Sequence, residues 1–223
     1  MCGRYTLSAR KLALAEKALR CTFPELAPRY NIAPSQDVPI IRETPEGKYE
    51  LVMVRWGLIP RWSKEPKTEY STINARAETV ATKPAFRDAF RRRRCLIPAD
   101  GFYEWKKEGT AKQPFHIRMK SGGDFAFAGL WECWQGEGQA IESCSIIVTE
   151  ANVVLRLIHD RMPVILAPAD YAFWLNPGQR DTGALAGLLK PCPASEMEAV
   201  PVSRRVNSPQ VDEASLLERV EAV

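Results

Sequence analysis

The stretch CLIPADGFYEWKK (residues 95–107) begins the strand-rich block that decides the fold. Residues 95–97 and 101–107 are short runs rich in apolar, β-branched and aromatic residues, which is typical of β-strands. Similar patterns predict further strands at residues 38–41, 49–56, 115–119, 125–131, 141–149, 164–166 and 197–202. Helices are predicted over about residues 9–20 (capped by Ser8), 84–91, 150–157, 168–175, 182–189 and 212–220.

These elements do not alternate as regular strand–helix–strand units, and the sequence contains no internal repeat or linker-like tract. Mixed strands and helices without that alternation favour the α+β class. We therefore expect residues 1–223 to form a single α+β domain. It would be built on a curved, mostly antiparallel β-sheet or open barrel with peripheral helices.

Composition restricts the class of protein further. Apolar residues make up 45% of the 223 residues and charged residues 26%, which is ordinary for a soluble globular chain. No run approaches the roughly 18 apolar residues of a membrane span, so we expect a cytoplasmic protein with no membrane partner. The six cysteines show no C-x-x-C spacing and there are two histidines, so no metal site or other cofactor is predicted.

The charges are unevenly distributed along the chain. Residues 1–120 carry 24 Lys and Arg against 13 Asp and Glu, whereas residues 121–223 carry 7 against 14. This polarity suggests a basic face for a polyanion, but the two halves would also partly neutralise each other in the fold. Two interpretations are also open for the four arginines at residues 91–94. They could form a solvated cationic helix end, or they could contact a nucleic acid.

Cys2 follows the initiator methionine, and Met1 is expected to be removed because Cys2 is a small residue. The mature chain would then begin with a free α-amine and a thiol on neighbouring carbons, and both groups are nucleophiles near neutral pH. Such a 1,2-aminothiol condenses with an aldehyde to a Schiff base and then closes a five-membered thiazolidine. The alternative is that Cys2 is an ordinary small apolar residue in a first strand.

Four further residues are candidates for chemistry. Glu104 shares one face of its predicted strand with Phe102, so its pKa should rise if it is buried; alternatively, it is a surface acid. His159 suits proton shuttling, although a single histidine is often structural. Asn74 can donate and accept hydrogen bonds, and Arg76 points the same way two residues later, with a guanidinium suited to phosphate.

Several motifs occur in a fixed order along the chain. They are MCGRY at 1–5, YNIAP at 30–34, WGLIP at 56–60, INARAE at 73–78, RCLIPADGFYEW at 94–105, HDRMP at 159–163 and VSRRVN at 202–207. This ordered set resembles the SRAP family, the SOS-response-associated peptidases, also called abasic-site processing proteins. The resemblance extends over essentially the whole chain, with no departure at the expected catalytic positions.

The resemblance implies a protein that binds single-stranded DNA and traps abasic sites covalently, in a DNA damage response. By matched position, Cys2 would be the nucleophile, with Asn74, Glu104 and His159 around it. Phosphates would be held by Arg4 and Arg76, and further positions along the DNA path would be Pro34, Trp62, Thr149 and Arg161. The expected partner is abasic single-stranded DNA, bound by a monomer that associates with the nucleoid when DNA is damaged.

The chemistry of these groups leaves three activities open. A thiazolidine crosslink is the first, with β-elimination of the 3′ phosphate as a lyase side reaction and with reversal catalysed by Glu104. The second is a cysteine amidohydrolase with an amino-terminal nucleophile, or a self-processing peptidase that only removes Met1. The third is a non-catalytic single-stranded DNA-binding module in which Cys2 is merely packed.

Overall fold

In the computed structural model, which describes residues 2–66, 71–109, 111–136 and 138–221, the strand-rich block forms two sheets. The strands are β1 Tyr5–Leu7, β2 Arg29–Ile32, β3 Asp37–Glu43, β4 Tyr49–Trp56, β5 Asn74–Arg76, β6 Arg94–Ala99, β7 Gly101–Glu108, β8 Ala111–Met119, β9 Phe125–Gly136, β10 Gln139–Glu150, β11 Arg161–Pro163 and β12 Met197–Pro201. The α-helices are α1 Ala13–Leu19, α2 Arg87–Arg92, α3 Tyr171–Leu175 and α4 Thr182–Ala186. No helix in these described ranges is long and apolar enough to cross a bilayer.

The larger sheet closes on itself. Its strands follow the order β10-β4-β3-β6-β9, and β9 pairs again with β10, so these five strands form a closed ring. Both β5 and β11 extend the sheet by pairing with the far end of β10. The second sheet has the order β12-β8-β7-β1-β2. All pairings are antiparallel except β4–β10 and β5–β10. The predicted α+β class is confirmed, and the barrel is closed, which removes exposed strand edges.

Asp100 lies where the chain leaves the barrel after β6 and enters the second sheet as β7. Its carboxylate accepts hydrogen bonds from the Thr6 hydroxyl at 2.6 Å, from the amide and hydroxyl of Ser8 at 2.6 Å each, and from the Ala9 amide at 3.0 Å. The next residue, Gly101, has to be a glycine, because a Cβ at this position would lie 2.0 Å from the His116 Nε2. The first strand is therefore fastened to the junction of the two sheets.

The same carboxylate explains one wrong prediction. Ser8 does not cap a helix over residues 9–20, because Asp100 takes both its amide and its hydroxyl. The helix α1 instead begins at Ala13, and Leu12 occupies its N-cap without a side-chain hydrogen bond. Tertiary contacts thus override the local capping signal.

Two predicted helices are wrong for a similar reason. Residues 150–157 hold only a 3₁₀ turn at Leu155–Leu157, because β10 continues to Glu150 and pairs there with Arg161 of β11. Residues 212–220 hold only the 3₁₀ turn Ala214–Leu217, since the backbone of Arg219 bridges to Val202. Strand pairing satisfies the backbone groups that a helix would have used.

The two sheets meet through aromatic side chains. Tyr5 of β1 is fully buried, and its ring lies 5.3 Å from that of Trp56 on β4 and 5.8 Å from that of Phe127 on β9. Both contacts are edge-to-face, the arrangement that aromatic pairs prefer. The strand that carries the amino terminus is thereby packed directly onto the barrel wall.

Arg94 belongs to the interior and not to the cationic helix end predicted at residues 91–94. Its side chain is buried and donates to the carbonyl oxygens of Phe90 at 2.8 Å, Trp174 at 2.7 Å and Gln179 at 3.0 Å, and also to that of Asn176. Burial lowers the pKa of the guanidinium to about 10, so it stays charged at neutral pH. Arg94 thus fastens α2 and the end of α3 to the barrel.

We expect Arg94→Met to lower the free energy of unfolding by about 3 kcal/mol or more, because several carbonyl oxygens would lose their donor. Urea denaturation would measure the change. Arg91→Met is the matched control, since Arg91 is exposed and should change stability by less than about 0.5 kcal/mol. Equal stability of the two variants would contradict an anchoring role for Arg94.

Candidate active site

Cys2 lies just before the first strand, β1, which begins at Tyr5. The strand β1 pairs with β7, with Tyr5 opposite Phe102, and the Tyr103 amide donates to the Arg4 carbonyl at 3.0 Å. Cys2 is fully buried, and its Sγ is 3.9 Å from the Arg4 carbonyl oxygen. Burial raises the pKa of the Cys2 thiol, and the nearby Glu104 carboxylate raises it further. Met1, whose removal the sequence predicts, lies outside the described residues.

Glu104 is buried on β7, with 3% of its surface exposed, so the surface-acid interpretation is wrong. Burial raises the pKa of the Glu104 carboxyl, and the charge of His159 acts in the opposite direction. A carboxyl group in this setting can exchange protons closer to neutral pH than an exposed glutamate can. The structure therefore places Glu104 within electrostatic range of both Cys2 and His159, two of the other residues predicted for the site.

His159 is held at its backbone and at one ring nitrogen. Its amide donates to the Leu155 carbonyl at 2.8 Å, and its Nδ1 accepts from the Arg161 amide at 3.0 Å. The same Nδ1 is 2.9 Å from the exposed Asp160 carboxylate. One nitrogen cannot accept and donate at once, so the two contacts require different placements of the ring proton. With Nδ1 unprotonated the ring accepts from the Arg161 amide, and with Nδ1 protonated it donates to the Asp160 carboxylate.

Asn74 begins β5 and is placed by its parallel pairing with Ile146 of β10. The preceding Ile73 carbonyl accepts from the Trp56 indole at 3.0 Å and from the Asn74 Nδ2 at 3.0 Å. The Asn74 Oδ1 is buried and has no hydrogen-bond partner within the described ranges. Trp56 also packs against Tyr5, so this one side chain contacts both β1 and the residue before β5. The Asn74 Oδ1 is a free hydrogen-bond acceptor next to that contact, among the residues that the structure describes.

The predicted phosphate ligands have different surroundings. Arg4 is half-buried and donates to the Asn31 Oδ1 at 2.7 Å and to the carbonyls of Val206 at 2.7 Å and Asn207 at 3.1 Å. Three of its five N–H groups are thus occupied by the chain, and burial lowers its pKa. Arg76 is exposed, two residues beyond Asn74 on β5. The charges of both arginines remain available near the site.

The remaining predicted DNA-path residues are not brought to one point. Thr149 is buried in β10 opposite Met162, and the Arg161 guanidinium is ion-paired with Glu78. Pro34 is half-buried in the turn after β2, and Trp62 is 59% exposed beyond β4. Their contact with DNA stays a prediction.

Two residues near the site were not singled out in the sequence. Asp160 faces the His159 ring, and Asn207 accepts from the Trp105 indole at 2.8 Å while its carbonyl binds Arg4. The sequence feature that could have identified them is their position within the HDRMP and VSRRVN motifs. Within the described ranges, no group of three or more His, Cys, Asp or Glu residues is arranged to hold a metal ion.

The electrostatics of the site generate a pH prediction. The Glu104 carboxylate raises the pKa of the Cys2 thiol by repelling the thiolate, so Glu104→Gln should lower that pKa. In chain lacking Met1, the pH at which Cys2 reacts with iodoacetamide should shift downward in the variant. Mass spectrometry of the amino-terminal peptide would follow alkylation, with the other cysteines as internal controls. An unchanged profile would contradict the contact.

Known proteins resemble this chain in sequence and in fold over nearly its whole length. The family model described as SOS response associated peptidase (SRAP) matches residues 1–209. The chain is 47% identical to the abasic site processing protein YoaM of Bacillus subtilis, over 98% of both chains. It is 34% identical to the abasic site processing protein YedK of Escherichia coli, over 99% of this chain and 100% of that one. A crystal structure from Bacteroides thetaiotaomicron covers 99% of the chain and is itself covered fully, with a TM-score of 0.84 and 28% identity. The chain therefore belongs to the SRAP family.

Proposed function

We propose that this chain processes abasic sites by trapping them in single-stranded DNA as a thiazolidine crosslink at Cys2, once Met1 has been removed. The observation that carries the proposal is the burial of the Cys2 thiol beside the buried Glu104, whose pKa His159 in turn influences. The names of relatives such as YoaM and YedK support the abasic site as the substrate. Residues 1–223 would act as one domain and as a monomer, in the cytoplasm and at damaged nucleoid DNA.

The ring-closed form of an abasic deoxyribose must first open to expose the C1′ aldehyde. His159 suits this step because an imidazole can both take up and release a proton, and the Leu155 carbonyl and the Arg161 amide hold its backbone and ring in place. General acid–base catalysis of this kind typically contributes about 10² to 10⁴-fold.

The raised pKa of the thiol sets the order of the next steps. Because the thiol stays protonated near neutral pH, the Cys2 amine attacks C1′ first and forms a carbinolamine, which loses water to give the Schiff base. The sulfur then bonds to C1′ as the C=N π bond breaks, and Glu104 takes the thiol proton and passes it to the former imine nitrogen, which closes the thiazolidine. The Asn74 Oδ1 would orient the amine by accepting one of its hydrogens.

Two side reactions follow from the same groups. The Schiff base acidifies C2′, so elimination of the 3′ phosphate competes with thiazolidine closure and gives lyase activity. Protonation of the thiazolidine by Glu104 would reopen the ring and reverse the crosslink, since the same proton transfers run backwards.

Phosphate binding adds a separate, sequence-independent contribution to affinity. Arg76 is exposed two residues beyond Asn74, and two of the Arg4 N–H groups have no hydrogen bond to the residues that the structure describes. Such contacts make binding strongly salt-dependent. The abasic sugar presents no base, so the reacting nucleotide itself offers no sequence information.

Cys2→Ala should abolish the stable crosslink while leaving affinity for single-stranded DNA unchanged, because the thiazolidine needs the sulfur. Cys2→Ser is the matched control: both variants keep the α-amine, so borohydride should still trap a Schiff base from each. Denaturing gels with a single-abasic-site strand would measure both. A wild-type yield of stable adduct from the alanine variant would overturn the proposal.

The same assay separates the alternatives. Hydrolysis of glutamine or removal of Met1 without any DNA adduct would support an amidohydrolase or a self-processing peptidase. DNA binding with neither activity would support a binding module. A preparation that retains Met1 should bind DNA yet form no thiazolidine, because its Cys2 nitrogen is an amide.

Glu104→Gln should slow crosslink formation by about 100-fold or more without changing DNA affinity, since it removes the proton acceptor and keeps the shape. Quenched time courses on gels would give the rate. Glu25→Gln is a suitable control, because Glu25 is exposed and pairs only loosely with Lys11 at 3.6 Å. Equal rates for the two variants at every pH would remove Glu104 from the mechanism.

A further inference from the structure

A groove of about 400 Å³ lies between the loop that follows β4 and the carboxyl end of α2. Trp62 forms one wall: its indole is 59% exposed, yet its Nε1 donates to the Pro84 carbonyl at 3.3 Å. Arg61 lies beside it, and the arginines at 91–93 form the opposite wall. A large aromatic side chain held in solvent next to several cations is an unusual feature of a protein surface.

The groove carries excess positive charge. Arg93 is neutralised by the buried Glu132 at 2.5 Å. Within the described ranges, the side chains of Arg61, Arg91 and Arg92 make no ion pair or hydrogen bond, and Asp88 is the carboxylate that opposes them in the groove. Three cations against one acid leave a surface suited to a polyanion.

The groove lies close to the proposed reactive site along the barrel wall. Ile146 of β10 is opposite Asn74, and Ser143 of the same strand is opposite Glu132 on the groove floor. The Ser143 hydroxyl also accepts from the Ile59 amide at 2.8 Å, which fixes the loop leading to Trp62. Asn74 and Glu132 are thus separated by about 10 Å along β10 and by two strand spacings of about 5 Å across it, or about 14 Å in all, the length of about four stacked nucleotides.

We propose that this groove is a second DNA subsite, which binds the unpaired strand on one side of the lesion. Trp62 stacks on a base, and Arg61, Arg91 and Arg92 bind the adjoining phosphates. The inference rests on the proposed function, because it takes single-stranded DNA as the ligand. Its new content is that the end of α2 extends the DNA track beyond the lesion and in one direction only.

The test is the salt dependence of binding to a single strand that carries a tetrahydrofuran abasic analogue, which has no aldehyde and cannot crosslink. Fluorescence anisotropy at several KCl concentrations gives the slope of log affinity against log salt. Arg91→Gln/Arg92→Gln should reduce this slope by about 1.4, or about 0.7 for each phosphate that is no longer neutralised. Trp62→Ala should weaken binding about tenfold with little change in slope.

Arg10→Gln/Arg20→Gln is the matched control, since both arginines are exposed and flank α1. The Leu14 amide of α1 donates to Asp124, and Glu132 lies eight residues further along that part of the chain, about 25 Å away. This control should keep the wild-type slope. Strands extended on only the 5′ side or only the 3′ side of the analogue should show the effect of the α2 variant for one of the two.

An unchanged slope in the α2 variant would overturn the subsite, as would an equal reduction in the α1 control or equal reductions for both one-sided strands. An equal reduction for fully paired duplex would also overturn it, because stacking on Trp62 needs an unpaired base. The wild-type crosslinking assay on true abasic DNA runs in parallel. A missing crosslink with a reduced slope would reject the proposed chemistry while leaving the subsite supported.

Discussion

The carboxylate of Asp100 holds the structure together at the place where the two sheets meet. It accepts hydrogen bonds from Thr6, Ser8 and Ala9, and it stands between the last barrel strand and the strand that carries Glu104. Hydrogen bonds to a charged group are individually worth about 1.5–3 kcal/mol, more than neutral ones. The position of the amino terminus relative to Glu104 therefore depends on this carboxylate and on the packing of Tyr5 against the barrel.

This arrangement makes the amino terminus part of the core. An ordinary chain end is exposed and mobile, whereas Cys2 and Tyr5 are fully buried here and Glu104 nearly so. Burial costs stability for any group that must ionise, and the raised pKa values of Cys2 and Glu104 express that cost. For Glu104 the same burial moves the pKa closer to neutral pH than that of an exposed carboxylate, whereas for Cys2 it keeps the thiol protonated.

Four consecutive arginines show how strongly tertiary structure assigns roles to identical side chains. Arg94 is buried among carbonyl oxygens, Arg93 is paired with Glu132, and Arg91 and Arg92 are exposed. The difference arises because α2 ends where β6 begins, so successive residues pass from helix surface to barrel interior. One run of charges in a sequence therefore holds both a buried anchor and exposed side chains.

The sequence by itself determined the long strands, because local alternation of side chains specifies β4 and β7. It also identified the candidate site residues Cys2, Asn74, Glu104 and His159 through the motifs that contain them. It did not predict β5 and β11, since strands of three residues carry too little pattern and exist only by pairing with β10. Tertiary structure alone decided that the barrel closes, that Glu104 is buried, and that residues 150–157 and 212–220 are not helices. Each of these depends on partners distant in the chain, whose burial and hydrogen bonds outweigh local preference.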